Sequence, residues 1–262
     1  MPIRNVVMAF AASAVLLASA ACGGSTKPAA SSEAVTTPPT AAASSSSSAP
    51  SSATSTTATG DSSACTELSG TVANDVCTVH TEGPSYTIDM SFPIDYPDQS
   101  AVADLLENQR DPFVAAVEEE PAAPGQKALD IKTTTYRSGT SDAGTQSLVF
   151  EEYANLGGAH PTTSYSALNY DVGKKTAITY DTLFKADSDP VAVLDPIVSK
   201  ALSTQLSGLQ LDPNPIGADM YKDFALTDDA VIFFISQGQW AISAAGAQKV
   251  SVPRSEIASI LT

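Results

Sequence analysis

Large apolar side chains are confined to one part of this chain, and that uneven distribution limits what it can fold into. Every Tyr and the single Trp lie between Cys65 and Thr262, together with every Phe except Phe10. A packed core needs such side chains, so we expect one domain over residues 65–262. The 64 residues ahead of it must have another purpose.

Residues 1–21 have the pattern of an export signal. Arg4 supplies a positive charge, an apolar run follows over residues 6–17, and small residues lead up to Cys22. The run is too short to span a bilayer stably, which favours a cleavable signal peptide. Small residues before a cysteine and a glycine after it match the bacterial lipoprotein cleavage site. We therefore expect Cys22 to carry a lipid anchor.

Ser19 leaves a second interpretation open, because the strictest lipoprotein motif has an aliphatic residue at that position. The alternative is an ordinary secretory signal that is cut near Ala21. Two acyl chains on Cys22 would anchor the protein stably at the extracytoplasmic face of the cell membrane. The ordinary signal would release it to the extracellular space.

Residues 22–64 consist mainly of Ser, Thr, Ala and Pro, with Val35 as the largest apolar residue. Runs such as Ser44–Ser48 cannot bury apolar surface, so we expect a disordered tether. A flexible coil of this length has a root-mean-square reach on the order of 35 Å. That reach would hold the domain away from the membrane surface.

The other two cysteines, Cys65 and Cys77, remain as a pair once Cys22 is assigned to lipid. An oxidising compartment favours a disulfide between them. Zinc binding is the alternative, but these thiols lack the paired Cys-x-x-Cys spacing of structural zinc sites. We expect one disulfide, no metal and no other cofactor.

Two helical patterns and several strand patterns follow. Residues 86–94 alternate apolar and polar side chains, which predicts a half-buried strand paired with residues 76–81. Helical spacing predicts one helix that begins near Ser100, which Pro112 should kink or shorten, and a second over residues 190–206. Further strands are predicted over 129–135, 148–152, 165–171, 176–179, 224–226, 231–235 and 249–252. The fold class is α+β, a mainly antiparallel sheet packed with two principal helices.

Acidic residues dominate the charge, with a net −16 over the whole chain. Removal of residues 1–21 takes away Arg4 and leaves 12 basic against 29 acidic side chains, a net charge of −17. This charge argues against nucleic acid and anionic lipid headgroups as partners of the domain surface. It would attract a cationic protein, although a merely soluble acidic surface has the same composition.

His-dependent catalysis could draw on only two histidines, His80 and His160. His160 follows Gly157 and Gly158, which suit a sharp turn, and precedes Pro161, which favours an extended backbone. It is a candidate general base, or a site of ligand contact. The alternative is a turn residue that bonds to neighbouring backbone and hydroxyl groups.

A hydrolase would also need a nucleophile or a carboxylate pair. The chain has no Gly-x-Ser-x-Gly motif, the Gly-Asp-Ser sequence at Gly60 lies in the predicted tether, and Ser141 lies in a predicted hairpin loop. Glu151 and Glu152 are adjacent in a predicted strand, so they would point to opposite faces. The chemistry of these residues favours binding over catalysis.

Trp240 is the large aromatic residue of a Gly- and Ala-rich stretch over residues 238–246. Aromatic residues in such surroundings anchor protein interfaces, which makes Trp240 a candidate ligand-binding residue. A core position that caps the sheet is the alternative.

Several motifs resemble the RsiV-like domain family, and most closely its branch of mycobacterial secreted immunogenic antigens. They are Asn155–Thr163, Ile178–Phe184, Phe224–Asp229 with Val231–Phe234, Val250–Ser255, and Tyr96–Gln99 with the two cysteines Cys65 and Cys77. The resemblance covers residues 65–262 and implies an α+β fold. In the anti-sigma-factor branch this domain binds lysozyme, whereas the antigens have no settled activity. Intramembrane signalling is not implied, because the sequence shows neither a transmembrane helix nor a sigma-binding segment.

These observations together predict a non-enzymatic lipoprotein of the cell envelope. It would act as a binding module at the outer face of the membrane and recognise a cationic protein such as lysozyme. The alternative is a secreted esterase-like hydrolase of the cell envelope.

Overall fold

The computed structural model describes residues 61–120, 126–158, 160–207, 211 and 217–262. Cys22, the predicted signal and most of the predicted tether lie outside these residues. Within the described ranges, no helix is long and apolar enough to cross a membrane. The first helix, α1 (Ser63–Glu67), begins two residues ahead of Cys65 and buries Ala64.

Seven strands form one large sheet in which spatial order follows chain order. All neighbours are antiparallel except β3 and β4, which are parallel because helix α2 (Gln99–Glu119) connects them. The strands are β1 (Thr71–Ala73), β2 (Val76–Glu82), β3 (Tyr86–Pro93), β4 (Lys127–Ser138), β5 (Thr145–Asn155), β6 (Thr162–Asp171) and β7 (Thr176–Ala177). The predicted α+β class with a mainly antiparallel sheet is confirmed.

Helix α2 covers one face of the large sheet. The Asp98 side chain caps it by accepting a hydrogen bond from the backbone N–H of Ala101 at 3.1 Å. The prediction that Pro112 shortens this helix is wrong, because the helix continues through it to Glu119. Phe113 and Val117 lie beyond the proline and are buried in the core, which offsets the lost backbone hydrogen bond.

Lys127 lies where the connection from α2 enters β4, and its burial is unusual. The residue is only 1% exposed, although lysine side chains are rarely buried. Its Nζ donates to the carbonyl oxygens of Val117, at 3.4 Å, and Glu120, at the end of α2. A buried cation thereby satisfies carbonyl groups that a helix C-terminus leaves without partners.

The predicted disulfide between Cys65 and Cys77 is confirmed. It joins α1 to β2 with a Cα–Cα distance of 5.6 Å, and both cysteines are buried. Gly70 packs against it so closely that a Cβ atom there would lie 2.8 Å from the Sγ of Cys65. The disulfide therefore fixes the N-terminal edge of the large sheet.

A second, three-stranded sheet forms from the C-terminal part of the chain. Its order is β10 (Gln248–Pro253), β9 (Ala230–Ile235), β8 (Phe224–Leu226), all antiparallel. Three helices contribute to its core: α3 (Tyr180–Leu183), α4 (Pro190–Gln205) and α5 (Arg254–Ile257). This core is separate from the one beneath α2.

The two sheets meet at a junction where side chains bind backbone groups of β6. The N–H groups of Thr163, Tyr165 and Ala167 donate to the side chains of Gln237, Ser236 and Asp223, at 2.9, 2.9 and 3.0 Å. Phe234 packs against the Tyr165 ring with a centroid distance of 5.2 Å. The free edge of β6 is therefore joined to the small sheet mainly by side chains, with one backbone bond from the Gln237 N–H to the Thr163 carbonyl at 2.9 Å and no strand ladder.

Candidate functional site

A cleft of about 310 Å³ opens beside this junction. It lies between β6, the N-terminal end of α2, the segment that leads from β7 into α3, and the residues just before β8. Its polar and aromatic walls come from Tyr96, Asp98, Asn169, Tyr170, Thr179, Tyr180, Asp181, Lys222 and Asp223, and its apolar walls from Ala101, Ala167, Leu168, Ala177 and Ile178. Polar groups that converge in a partly apolar cleft are typical of ligand sites.

Asp223 is the most perturbed carboxyl group of the cleft. It lies between a short 3₁₀ turn, Ala218–Tyr221, and strand β8. Burial raises its pKa to about 6, and the hydrogen bond from the Ala167 N–H opposes that rise. The carboxyl group is therefore mainly ionised at neutral pH but held in surroundings that disfavour its charge.

Two tyrosines line the cleft together with this carboxylate. Tyr96 is 3% exposed and its ring meets Tyr170 edge-on, while burial raises the pKa of its hydroxyl. Tyr180 begins α3 and its ring meets Phe184 edge-on at 5.0 Å. Burial raises the pKa of Tyr180 as well, so both hydroxyls stay protonated at neutral pH.

The position of Tyr180 follows from the local sequence. Thr179 and Thr182 form a capping box, in which the backbone N–H of Thr179 donates to the Thr182 hydroxyl at 2.8 Å. This arrangement starts the short helix where β7 ends and places Tyr180 and Asp181 on the cleft wall.

The charge of the lining is negative. Asp98, Asp181 and Asp223 face one basic residue, Lys222, and that lysine is paired with Asp219 outside the lining. Electrostatics therefore favour a cationic ligand group in the cleft. Tyrosine faces add to that preference, because their π-electrons attract ammonium and guanidinium groups.

The candidate residues from the sequence lie elsewhere. His160 is exposed in the turn between β5 and β6, where Gly157 has a positive φ of 80°, and it does not line the cleft. Trp240 is 3% exposed and packs edge-on against Tyr221 in the core of the small sheet. Trp240 therefore occupies the core position that the sequence left as the alternative, with little surface for a partner.

His80 also lies outside the cleft. Its Nδ1 is 2.7 Å from a carboxylate oxygen of Asp89 on the neighbouring strand, and both side chains are about half exposed. The hydrogen bond with Asp89 raises the pKa of His80, with a smaller contribution from Glu82. Since Asp89 is its carboxylate partner, this histidine is part of an exposed ion pair on the open face of the sheet.

The cleft lining contains no Ser, Cys or His. Its hydroxyl groups belong to Thr179 and the tyrosines. Burial raises the pKa of the Tyr96 and Tyr180 hydroxyls. Within the described residues, no cluster of three or more His, Cys, Asp or Glu side chains is placed to hold a metal ion. The geometry suits the binding of a cation better than nucleophilic attack.

This site was not predicted from the sequence. Tyr96, Tyr180 and Asp223 lie far apart in the chain. Tyr96 and Tyr180 fall within two motifs of the family resemblance, Tyr96–Gln99 and Ile178–Phe184, but the resemblance assigns them no role. A further signal is an aspartate immediately before a fully apolar strand, at Asp223. Such a position is compatible with many roles, so it identifies no site without the fold.

Comparisons with known proteins show what the chain is similar to. The family described as "Protein of unknown function (DUF3298)" matches residues 181–255. The chain is 40% identical over 204 residues to the protein named "Esterase Rv3036c" of Mycobacterium tuberculosis, covering 76% of this chain and 89% of that protein. It is 41% identical over 200 residues to "Immunogenic protein MPT64" of the same species, covering 75% and 87%.

Among solved structures, a DUF3298 family protein from Pseudomonas aeruginosa PAO1 aligns over 74% of this chain and 96% of its own, with 16% identity and a TM-score of 0.46. The DUF3298 match in the present chain runs from α3 into α5. It therefore contains Asp181, Lys222 and Asp223 of the cleft.

Proposed function

The chain belongs to the family of immunogenic protein MPT64 and esterase Rv3036c, and from that premise we propose that it is an extracytoplasmic binding lipoprotein. Its acidic cleft receives a cationic side chain of a partner protein. Cys22 carries the lipid that holds it at the outer face of the membrane.

The ionised Asp223 carboxylate in the cleft lining is the observation that carries this proposal. A carboxylate with a pKa raised by burial gains more from a cationic partner than an exposed one does. Tyr180 provides aromatic surface for the hydrocarbon stem and charged end of a lysine or arginine. A volume of about 310 Å³ accommodates one such side chain.

The overall charge supports the same conclusion. A chain at −16 attracts cationic proteins over a distance, and the cleft then provides a specific contact. The resemblance to lysozyme-binding domains makes lysozyme, a cationic protein, the first partner to test.

The test is a titration of the full protein with lysozyme at low and physiological salt, with Asp223→Asn and the matched exposed control Asp187→Asn. We expect wild-type binding that weakens as salt rises, because exposed charges are screened. Asp223→Asn should weaken binding by about tenfold or more, since charged hydrogen bonds contribute about 1.5–3 kcal/mol. The control should change it by less than about twofold. Equal affinity of wild type and Asp223→Asn would remove the cleft from the proposal, and absence of binding would remove lysozyme.

The lipid anchor has an independent test. Wild type and Cys22→Ala are compared by detergent phase partitioning after expression in a host that processes lipoproteins. We expect only the wild type to enter the detergent phase, because two acyl chains give stable partitioning. Recovery of both proteins from the aqueous phase would favour the ordinary secretory signal.

Hydrolysis of acyl esters is the second candidate function. The identity with a protein named an esterase, over 89% of that protein, favours it. Purified protein is assayed against short-chain acyl esters alongside His160→Ala and Asp223→Asn. Turnover that either variant abolishes would replace the binding proposal with a hydrolase, whereas an inactive wild type would leave binding as the function.

A further inference from the structure

A second pocket, of about 400 Å³, lies next to the acidic cleft. Ala177 and Ile178 line both cavities. The wall of this second pocket also includes Thr145, Asp171, Lys174, Leu183, Leu226 and Arg254. Two of the few basic residues of an acidic chain thus line one cavity.

Arg254 differs from the other arginines that the structure describes. Arg110 and Arg137 each have a carboxylate oxygen within 3.2 Å, whereas no carboxylate of the described residues lies within 4.0 Å of Arg254. Its Nη2 is 3.4 Å from the Ser138 hydroxyl, and its Nε is buried without a hydrogen-bond partner. Arg254 lines the cavity without a carboxylate partner, so a ligand there can supply the anionic oxygen that its guanidinium lacks.

A second unpaired group lines the same cavity. The hydroxyl oxygen of Thr145 is buried and has no partner among the described residues. Thr145 begins β5 and Arg254 begins α5, so two distant parts of the chain bring these groups together. Both residues line the cavity, and both side chains carry hydrogen-bond donors.

The charges that face the pocket set the charge of its ligand. Lys174 is paired with Asp171 at 3.2 Å, and the hydrogen bonds from Lys174 lower the pKa of Asp171, so these two charges offset each other. Among the side chains that line the pocket, Arg254 therefore adds one positive charge beyond this pair. Asp228 lies outside the lining, and its carboxylate, which accepts a hydrogen bond from the Gly139 N–H at 2.7 Å, interacts with Arg254 at longer range.

Apolar side chains form the rest of the wall. Ile178, Leu183 and Leu226 lie beside the polar groups, and Leu183 and Leu226 are buried. One free positive charge next to an apolar wall fits a singly charged oxyanion on a hydrocarbon chain better than a doubly charged phosphate. Guanidinium and carboxylate groups match in geometry, because two parallel N–H···O bonds can join them.

We infer that this pocket binds small organic carboxylates, with Arg254 and Thr145 holding the carboxylate and the wall of Ile178, Leu183 and Leu226 holding a short hydrocarbon chain. This site is distinct from the acidic cleft, since its charge preference is opposite. Its ligand would bind whether or not the cleft binds a cationic protein.

The experiment titrates the full protein with sodium hexanoate, sodium acetate and inorganic phosphate by isothermal titration calorimetry. Hexanoate should bind saturably, and acetate should bind at least about tenfold more weakly, because each buried methylene contributes about a fourfold change in affinity. Phosphate should bind at least tenfold more weakly than hexanoate. Equal affinity for phosphate and hexanoate would overturn the assignment to carboxylates, and absence of saturable hexanoate binding would overturn the site.

Variants then test the assigned residues. Arg254→Gln should weaken hexanoate binding by about tenfold or more, and Arg254→Lys, which keeps the charge but loses the paired donors, should give an intermediate loss. The control Arg137→Gln removes an exposed arginine that is already paired and should leave the affinity unchanged. Wild-type affinity in Arg254→Gln would contradict the inference.

A direct readout covers the case in which Arg254→Gln does not fold. The Nε–H resonance of Arg254 in the wild-type protein should shift as hexanoate is added, together with the backbone amides of Thr145 and Thr182. The Nε–H resonance of Arg110 should stay in place, because that side chain is paired with Glu107 and Asp111. Hexanoate binding that leaves the Arg254 resonance unmoved would place the ligand elsewhere and overturn the inference.

Discussion

The two sheets are held in different ways. In the large sheet each strand from β1 to β7 pairs with its neighbour in the chain, so backbone hydrogen bonds join it throughout. The small sheet has its own ladder, but its junction with β6 depends on the side chains of Asp223, Ser236 and Gln237. A ladder tolerates most side-chain changes, whereas such a junction is sensitive to single substitutions.

The cores of the two sheets also differ in what stabilises them. The core of the large sheet includes the disulfide between Cys65 and Cys77, which restricts the unfolded chain. The core of the small sheet has no such link and relies on apolar packing around Phe233 and Tyr221. The following predictions test whether these differences matter to stability.

The largest effect should come from truncating a core phenylalanine in either sheet. Phe150→Ala in the large sheet and Phe233→Ala in the small one should each lower the free energy of unfolding by about 3–5 kcal/mol, because both residues are fully buried. Urea denaturation followed by circular dichroism and by tryptophan fluorescence measures this. Coincident transitions by both probes would show that the sheets unfold together, and a separate early transition in Phe233→Ala would show that they do not.

Removal of the disulfide should have the next largest effect. The double variant Cys65→Ala with Cys77→Ala should lose about 3 kcal/mol, as expected for a cross-link that closes a short loop. Native-state hydrogen exchange should show faster exchange in β1 and β2 than in β8 and β9. Uniform acceleration across both sheets would contradict a local role for the disulfide.

The junction should respond to pH through Asp223. Its pKa is raised from 3.8 to about 6 on folding, so the folded state binds more protons than the unfolded state between these values. The free energy of unfolding should therefore fall by about 2 kcal/mol as pH rises from about 4 to about 6, and the contribution of this group should level off about one pH unit above that range.

Asp223→Asn isolates this contribution, because the amide oxygen can still accept the Ala167 N–H bond. The difference in stability between wild type and this variant is measured across the same pH range. Asp187→Asn, an exposed control, should reproduce the wild-type profile. A pH-independent difference between wild type and Asp223→Asn would refute the assignment.

The smallest effect should come from a single hydrogen bond beneath the junction. The buried Ser147 hydroxyl accepts the N–H of Leu226 at 2.9 Å and so joins β5 to β8. Ser147→Ala should cost roughly 1.5 kcal/mol, since it leaves a buried N–H without an acceptor. The exposed serine variant Ser141→Ala should be neutral in the same urea titration.

The large sheet was more predictable from sequence than the junction. Alternation over residues 86–94 predicted a strand because this signal is local. The start of helix α2 was predicted correctly. Its continuation through Pro112 was not, because it depends on the burial of Phe113 and Val117, which no local pattern shows. At Pro112, core packing outweighs the low helix propensity of proline.

The candidate site was largely hidden from the sequence. Tyr96 and Asp223 acquire their surroundings from segments distant in the chain, so their burial appears only after folding. Trp240 shows the opposite case, in which a residue in a Gly- and Ala-rich stretch belongs to the core because Tyr221 packs on it. The disulfide was predictable because cysteine pairing depends on count and compartment more than on packing.

The capped edge of β6 has a consequence for behaviour at high concentration. Sheets aggregate when unpaired N–H and C=O groups on an outer strand template the addition of another chain. The N–H groups of Thr163, Tyr165 and Ala167 are already bound to side-chain acceptors, so an intruding strand would have to displace Gln237, Ser236 and Asp223. The junction that joins the sheets thereby also protects the protein against amyloid-like self-association along this edge.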